Sequence, residues 1–176
     1  MARIHPKPPE QVAQDTPDLY ATITARYGRL PNFFAMLAHH PAVLTHFLSL
    51  YPAIMAAGTV EQKYKELAYL QVSLGNRCAY CTLAHTATAK RLGLPEAQLA
   101  ALACAQYDDA FDAKEQATLR YAESVTRDPA AIPDSVLEEL QRHYRSEQIV
   151  ELTLAICMAN FTNRFNNALG MEPDLG

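Results

Sequence analysis

Apolar positions along this chain recur at helical spacing almost throughout, while the strict alternation of a half-buried strand is scarce. Leu19, Ile23 and Tyr27 fall four apart, which predicts a helix over 17–27 closed by Gly28, with a short second helix over 32–38. Pro41 suits a first helical turn, and Val43, Leu44, Phe47, Leu48, Tyr51 and Ile54 follow in amphipathic order toward Gly58, with a kink or break expected at Pro52. Thr59 reads as the cap of the next helix, EQKYKELAYLQVSL, which stops at Gly75 and carries Leu67, Leu70 and Leu74 as its apolar stripe, with Glu66 beside them. Asn76 reads as the cap of a helix closed by Gly93 and Pro95, and a shorter one runs on through Cys104. Further helices are expected over 113–127, over 134–144 after Pro133, and from Ser146 to Leu169. The layout is all-helical: a single domain over 17–176, preceded by a Pro-rich polar segment over 1–16 that wraps a surface or is partly disordered. ELAYLQVSLGN and ELTLAICMAN both open on Glu-Leu and close on Asn, a hint of a duplicated helical unit.

Length and composition allow one substantial core, since 49% of the 176 residues are hydrophobic. Fifteen Lys and Arg against nineteen Asp and Glu give a net charge of −4 with no block of like charge, so nothing supplies the basic patch that nucleic acid requires. The opening MARIHPKPPE has no apolar signal core, and no run approaches the roughly 18 apolar residues of a membrane span. The expectation is a soluble cytoplasmic protein with neither nucleic acid nor membrane as partner. Cys78, Cys81, Cys104 and Cys157 are too few for a secreted disulfide framework, and two of them form a close pair.

That pair lies in GNRCAYCTLAHTATAKRLG, residues 75–93. On a helix Cys78, Cys81 and His85 stand at i, i+3 and i+7 and share one face. With Asn76 as cap, Cys78 falls in the first turn, where free backbone N–H groups and the helix dipole favour a thiolate; Arg77 adds positive charge. One turn on, His85 is placed to act as a base toward Cys81. Cys104 and Cys157 stand alone in Ala- or Leu-rich helices and read as core packing, while His5, His39, His40, His46 and His143 read as structural or exposed. A zinc site lacks its second half, since there is no further Cys-x-x-Cys and no His pair. Haem attachment is excluded by Thr82 in the slot that needs His, and a thioredoxin-like site by helical sequence on both flanks.

Glu66, eleven residues, Cys78-Ala79-Tyr80-Cys81, three residues and His85 resemble the active-site signature of the alkylhydroperoxidase D-like, carboxymuconolactone decarboxylase superfamily. Ser73, Asn76 and the segment 151–160 are similar to less specific parts of its pattern, and the resemblance spans about residues 30–170. It implies an all-helical fold in which the helix ending near Ser73 brings Glu66 to His85, a contact that spacing alone does not show. It further implies Cys81 as peroxidatic nucleophile, His85 as its base, Glu66 as orienting carboxylate and Cys78 as resolving thiol. The helix terminus favours Cys78 as the more acidic thiol and the nearness of His85 favours Cys81; the assignment follows the histidine. By the same resemblance the substrate is a hydroperoxide, the reductant a dithiol of lipoyl type or a small redox protein, and the assembly a homo-oligomer, with no cofactor and no metal. Tyr80 departs from the pattern, because the founding peroxidase type has His at that position, and the cysteine pair itself argues against lactone decarboxylation. A thiol–disulfide exchange or redox-sensing protein, and an oligomeric binding protein with a vestigial pair, are the alternatives.

Overall fold

The computed structural model describes residues 2–107 and 109–174. Among them the chain forms ten helices and no strand: α1 Pro9–Asp15, α2 Pro17–Tyr27, α3 Asn32–Leu37, α4 Pro41–Met55, α5 Gln62–Gly75, α6 Ala79–Arg91, α7 Glu96–Ala103, α8 Ala113–Arg127, α9 Asp134–Gln141 and α10 Ser146–Leu169. The all-helical expectation holds, and no helix among the described residues is long and apolar enough to cross a membrane. Local punctuation sets most boundaries. Gly28 and Gly170 take left-handed backbone at the ends of α2 and α10, with φ 72° and 66°. Asp112 and Glu115 close a capping box on α8, with Glu115 N–H donating to Asp112 Oδ1 at 2.8 Å and Asp112 N–H to Glu115 Oε2 at 3.1 Å.

α5 organises the rest. Every residue from Tyr64 to Ser73 is buried, so this helix has no solvent face and packs against α6, α8 and α10 at once. Leu67 and Leu70 enter a smaller apolar cluster with Leu94, Leu102, Phe111 and Leu119, whereas Tyr64, Ala68, Tyr69 and Val72 enter the main core with Leu44, Phe47, Leu152 and Ile156. The leucine stripe predicted from the sequence is thus one of two buried faces.

Full burial forces a solution for the two charges in the buried stretch of α5, Lys65 and Glu66. Lys65 is 1% exposed; its Nζ donates to the carbonyls of Ile54 at 2.8 Å and Ala56 at 2.6 Å and pairs with Glu151 of α10. Burial would raise the pKa of Glu151, but Lys65 and the Thr59 N–H and hydroxyl outweigh it and hold the carboxyl at about 2. Gly58 makes room for this arrangement, because a Cβ there would overlap the Glu151 carboxylate.

Several local expectations are corrected. Thr59 serves Glu151 rather than capping α5, whose N-cap is Glu61, and α6 is capped by Cys78, not Asn76. Pro52 sits in the last turn of α4, which continues to Met55. The Pro-rich segment contains α1, which buries Val12 completely. α9 ends at Gln141, short of the predicted 144. Cys104 and Cys157, expected in the core, are both exposed: Cys104 is the residue that ends α7, and Cys157 points outward from α10 despite its apolar neighbours in sequence.

Because the Glu151 carboxyl is held below its ordinary value, its contribution to stability is full above about pH 4.5 and is lost as pH falls toward about 2. Glu151→Gln is expected to lower Tm at pH 7 by roughly 3–8 °C, with the gap from wild type closing across that acid window. Thermal melts followed by circular dichroism at pH 7, 4 and 2.5 check this; a gap independent of pH would contradict it.

Candidate active site

The site is built by a tight reversal of the chain. α5 ends at Gly75, Arg77 takes left-handed backbone with φ 54°, and the Cys78 N–H returns to the Ser73 carbonyl at 2.9 Å. α6 therefore folds back along α5, and residues nearly equidistant from the turn meet. Glu66 and His85 are such a pair: Glu66 Oε2 lies 2.6 Å from His85 Nδ1. Glu66 is 2% exposed, and an isolated carboxylate at that depth would be costly, so the imidazole is its compensation. With Nδ1–H donated to the carboxylate, Nε2 is left as the free ring nitrogen. It faces the hydroxyl of Tyr51, from α4, at 3.3 Å. The Tyr69 ring stacks on the imidazole with centroids 3.5 Å apart and planes 15° apart, which fixes the ring's tilt. Burial first, then the charge of Glu66, hold the Tyr51 phenol well above its usual pKa, so it remains a proton donor.

The sulfurs lie at the other end of the same helix face. Cys78 Sγ and Cys81 Sγ share a hydrogen bond at 2.7 Å, and Cys78 Sγ also accepts the Cys81 N–H at 3.4 Å as the N-cap of α6. Both are free thiols, 1% and 2% exposed. α10 supplies amides from the far side: Asn166 Nδ2 donates to Cys81 Sγ at 3.1 Å, while Asn163 Nδ2 reaches Ser73 Oγ at 3.3 Å and Asn76 Nδ2 reaches Asn160 Oδ1 at 2.9 Å. The bond from the Cys81 thiol draws the Cys78 pKa down, against burial and with help from backbone N–H groups. The same bond, with burial and then the Cys78 charge, pushes Cys81 up. Of the two, Cys78 is thus the thiol favoured for ionisation.

A cavity of about 640 Å³ opens over this array. Phe33, Phe34, Phe47, Tyr51, Tyr69 and Tyr80 line it; Cys81, His85, Glu66 and Asn166 stand in its wall, and Arg26, Arg29 and Arg91 are at its exposed edge. Cys81 borders this space and Cys78 does not. Among the described residues, no group of three His, Cys, Asp or Glu side chains could hold a metal ion.

All four residues singled out from the sequence, Glu66, Cys78, Cys81 and His85, thus belong to one array. The contact of Glu66 with His85, implied only by resemblance, is present. The imidazole makes its hydrogen bonds to Glu66 and Tyr51 rather than to a sulfur. Tyr80, in the position where the founding type carries histidine, accepts the Phe33 N–H at 3.3 Å, and burial holds its phenol protonated, so no base stands there. Sequence reasoning missed Tyr51 and Asn166. Tyr51 left no signal beyond helical periodicity; Asn163 and Asn166, three apart on the buried face of α10, were a legible anomaly.

Residues 41–124, which include the whole Glu66–His85 signature, match the carboxymuconolactone decarboxylase family. The chain belongs to the carboxymuconolactone decarboxylase family. A relative, the uncharacterised YdfG of Bacillus subtilis, is 32% identical over 113 residues, covering 64% of this chain and 77% of that one. Among solved structures, a peroxidase-related protein from Ralstonia eutropha superposes with a TM-score of 0.86 at 22% identity, covering 99% of this chain and 93% of that one. The debrominase Bmp8 superposes at 0.82 with 23% identity, covering 98% and 92%. At such identities these structures show the fold and not the reaction.

Since the Cys81 bond is the largest cause of the depressed Cys78 pKa, Cys81→Ala is expected to move the Cys78 titration upward. Thiolate absorbance against pH reads this directly. A Cys78 that titrates at the same pH in both proteins would contradict the shared proton.

Proposed function

We propose that this chain is a thiol-dependent peroxidase that reduces hydroperoxides through Cys78 and Cys81, with Glu66 and His85 managing protons. The observation that carries the reading is the juxtaposition of a paired dithiol, at 2.7 Å, with a carboxylate–imidazole pair on the wall of one cavity.

Hydrogen bonding and burial favour the charge on Cys78 and the proton on Cys81. Access favours the other sulfur, because only Cys81 borders the cavity, and reaction at a thiol depends on access as well as ionisation. The 2.7 Å bond reconciles the two: the Cys81 proton passes to Cys78, and the Cys81 thiolate attacks the terminal oxygen of the hydroperoxide. The S–O bond forms, the O–O bond breaks, and alkoxide leaves. The Tyr51 hydroxyl, held against His85 Nε2 while Glu66 orients the ring, provides the proton that converts alkoxide to alcohol, and a proton from solvent restores it through the cavity. Cys81 sulfenic acid then condenses with Cys78; the disulfide forms and water leaves. A dithiol resets the pair, returning two electrons and two protons.

Depth argues against the main alternative. Exchange with a protein disulfide requires an exposed sulfur, and both are at most 2% exposed, whereas a small peroxide can enter the cavity. The same depth favours a slim reductant such as a lipoyl arm over the face of a globular redox protein.

Cys81→Ser is expected to reduce hydroperoxide turnover in a dithiol-coupled assay to background. Cys78→Ser is expected to complete one stoichiometric reaction and stop with a sulfenic acid on Cys81 that dimedone labels. Full turnover by Cys81→Ser would sink the assignment of the nucleophile, and a faster disulfide-exchange rate than peroxide rate in the wild type would favour the redox-exchange reading.

A further inference from the structure

The inward face of α10 carries Asn160, Asn163 and Asn166 at successive spacings of three. The first two spend their amides on structure. Asn160 Oδ1 accepts from Asn76 at 2.9 Å and its Nδ2 donates to Thr126 Oγ1 and to the Ile156 carbonyl, both at 3.1 Å; Asn163 accepts from Asn76 at 3.2 Å and donates to Ser73 at 3.3 Å. Asn166 differs. Its Nδ2 donates to Cys81 Sγ at 3.1 Å, while its Oδ1, in a side chain 2% exposed, accepts nothing. A buried acceptor left without a donor is destabilising, and the hydroxyls of the site do not remedy it. The Tyr69 hydroxyl is on Thr162, the Tyr51 hydroxyl on His85, and the Tyr80 hydroxyl, which accepts the Phe33 N–H, is bonded to the Asp174 carboxylate. The same side chain stands in the cavity wall beside Cys81.

We propose that Asn166 orients the substrate: its amide oxygen accepts the O–H of the hydroperoxide while its amide nitrogen holds the sulfur that attacks. This deepens the peroxidase reading and rests on it. A primary amide presents its N–H and its carbonyl lone pair side by side, so a sulfur on one and an O–H on the other are brought to roughly 3–3.5 Å, the separation of a near-attack pair. The oxygen so held is the terminal one, which carries the proton and is the atom the thiolate must strike. The Cys81–O bond forms as the O–O bond breaks, and the proton held against Oδ1 stays on the oxygen transferred to sulfur, giving sulfenic acid and alkoxide without a change in the amide. The arrangement selects for hydroperoxides over dialkyl peroxides, which have no O–H to offer, and it does so in a position that is independent of the imidazole.

The test compares two reagents on the same thiol. Cumene hydroperoxide can donate to Oδ1; at Cys81, iodoacetamide reports nucleophilicity without needing that acceptor. In Asn166→Ala, kcat/KM for cumene hydroperoxide is expected to fall about 10–100-fold relative to the iodoacetamide rate, both measured where the thiolate is fully formed. Asn166→Asp keeps the acceptor and nearly the shape, so its ratio of the two rates is expected to stay within about threefold of wild type even though the added charge slows both. It also answers for folding should the alanine variant be unstable. Equal losses toward both reagents in Asn166→Ala, or an unchanged ratio, would overturn the proposal while leaving the peroxidase reading standing. Wild-type protein that fails to consume cumene hydroperoxide would overturn both.

Discussion

A carboxylate buried in the middle of a helix with no solvent face must be compensated where it stands, and Glu66 at 2% exposure is such a group. Its compensation is the imidazole of His85, 2.6 Å away on the helix that follows, and that contact exists only because the chain reverses tightly between Gly75 and Cys78. The same reversal sets the register that leaves Cys78 as the N-cap of α6, with its sulfur taking the Cys81 N–H and lying 2.7 Å from the second sulfur. One constraint therefore fixes two features that chemistry needs together: an oriented imidazole and a dithiol at a helix terminus. Lys65, the residue before it, poses the opposite charge and is answered from α10 by Glu151, so α5 is pinned by the Glu66–His85 hydrogen bond and the Lys65–Glu151 ion pair as well as by its two apolar clusters.

The division of labour between the sulfurs follows from the way burial and hydrogen bonding act on each. The cap position and the bond from Cys81 favour charge on Cys78, whereas the cavity lies against Cys81. A short sulfur–sulfur hydrogen bond joins the thiol more readily ionised to the one that borders the cavity. Keeping the second sulfur this close also shortens the life of any sulfenic acid, since its partner is already in place. The amides of α10 complete the enclosure.

Most of the fold was readable because glycine and proline mark its helix ends. Gly28 and Gly170 stop α2 and α10, Pro17 and Pro41 open α2 and α4, and the predicted spans 113–127 and Ser146 to Leu169 coincide with α8 and α10. The four signature residues were readable as a spacing, and the role of Glu66 only by resemblance, since its contact with His85 depends on how two helices fold against each other. What the sequence concealed came from tertiary packing. Asn76 has the composition of a cap, yet its amide reaches across to Asn160 and Asn163 and leaves the capping to a cysteine. Cys104 and Cys157 sit among apolar neighbours in sequence and face outward in space. Tyr51 and Asn166 reach the site from α4 and α10, 34 residues from His85 and 85 from Cys81, separations at which no local pattern speaks.

The central claim is that two sulfurs held together, one of them in the cavity wall, react as a unit with peroxide. Mass spectrometry of the peptide bearing both cysteines, after one equivalent of hydroperoxide, addresses it most directly. The account predicts the loss of two hydrogen atoms from that peptide, located to a bond between Cys78 and Cys81 and fully regained on treatment with a dithiol. A peptide that remains reduced, or one in which a single sulfur accumulates oxygen while its neighbour stays a free thiol, would contradict it.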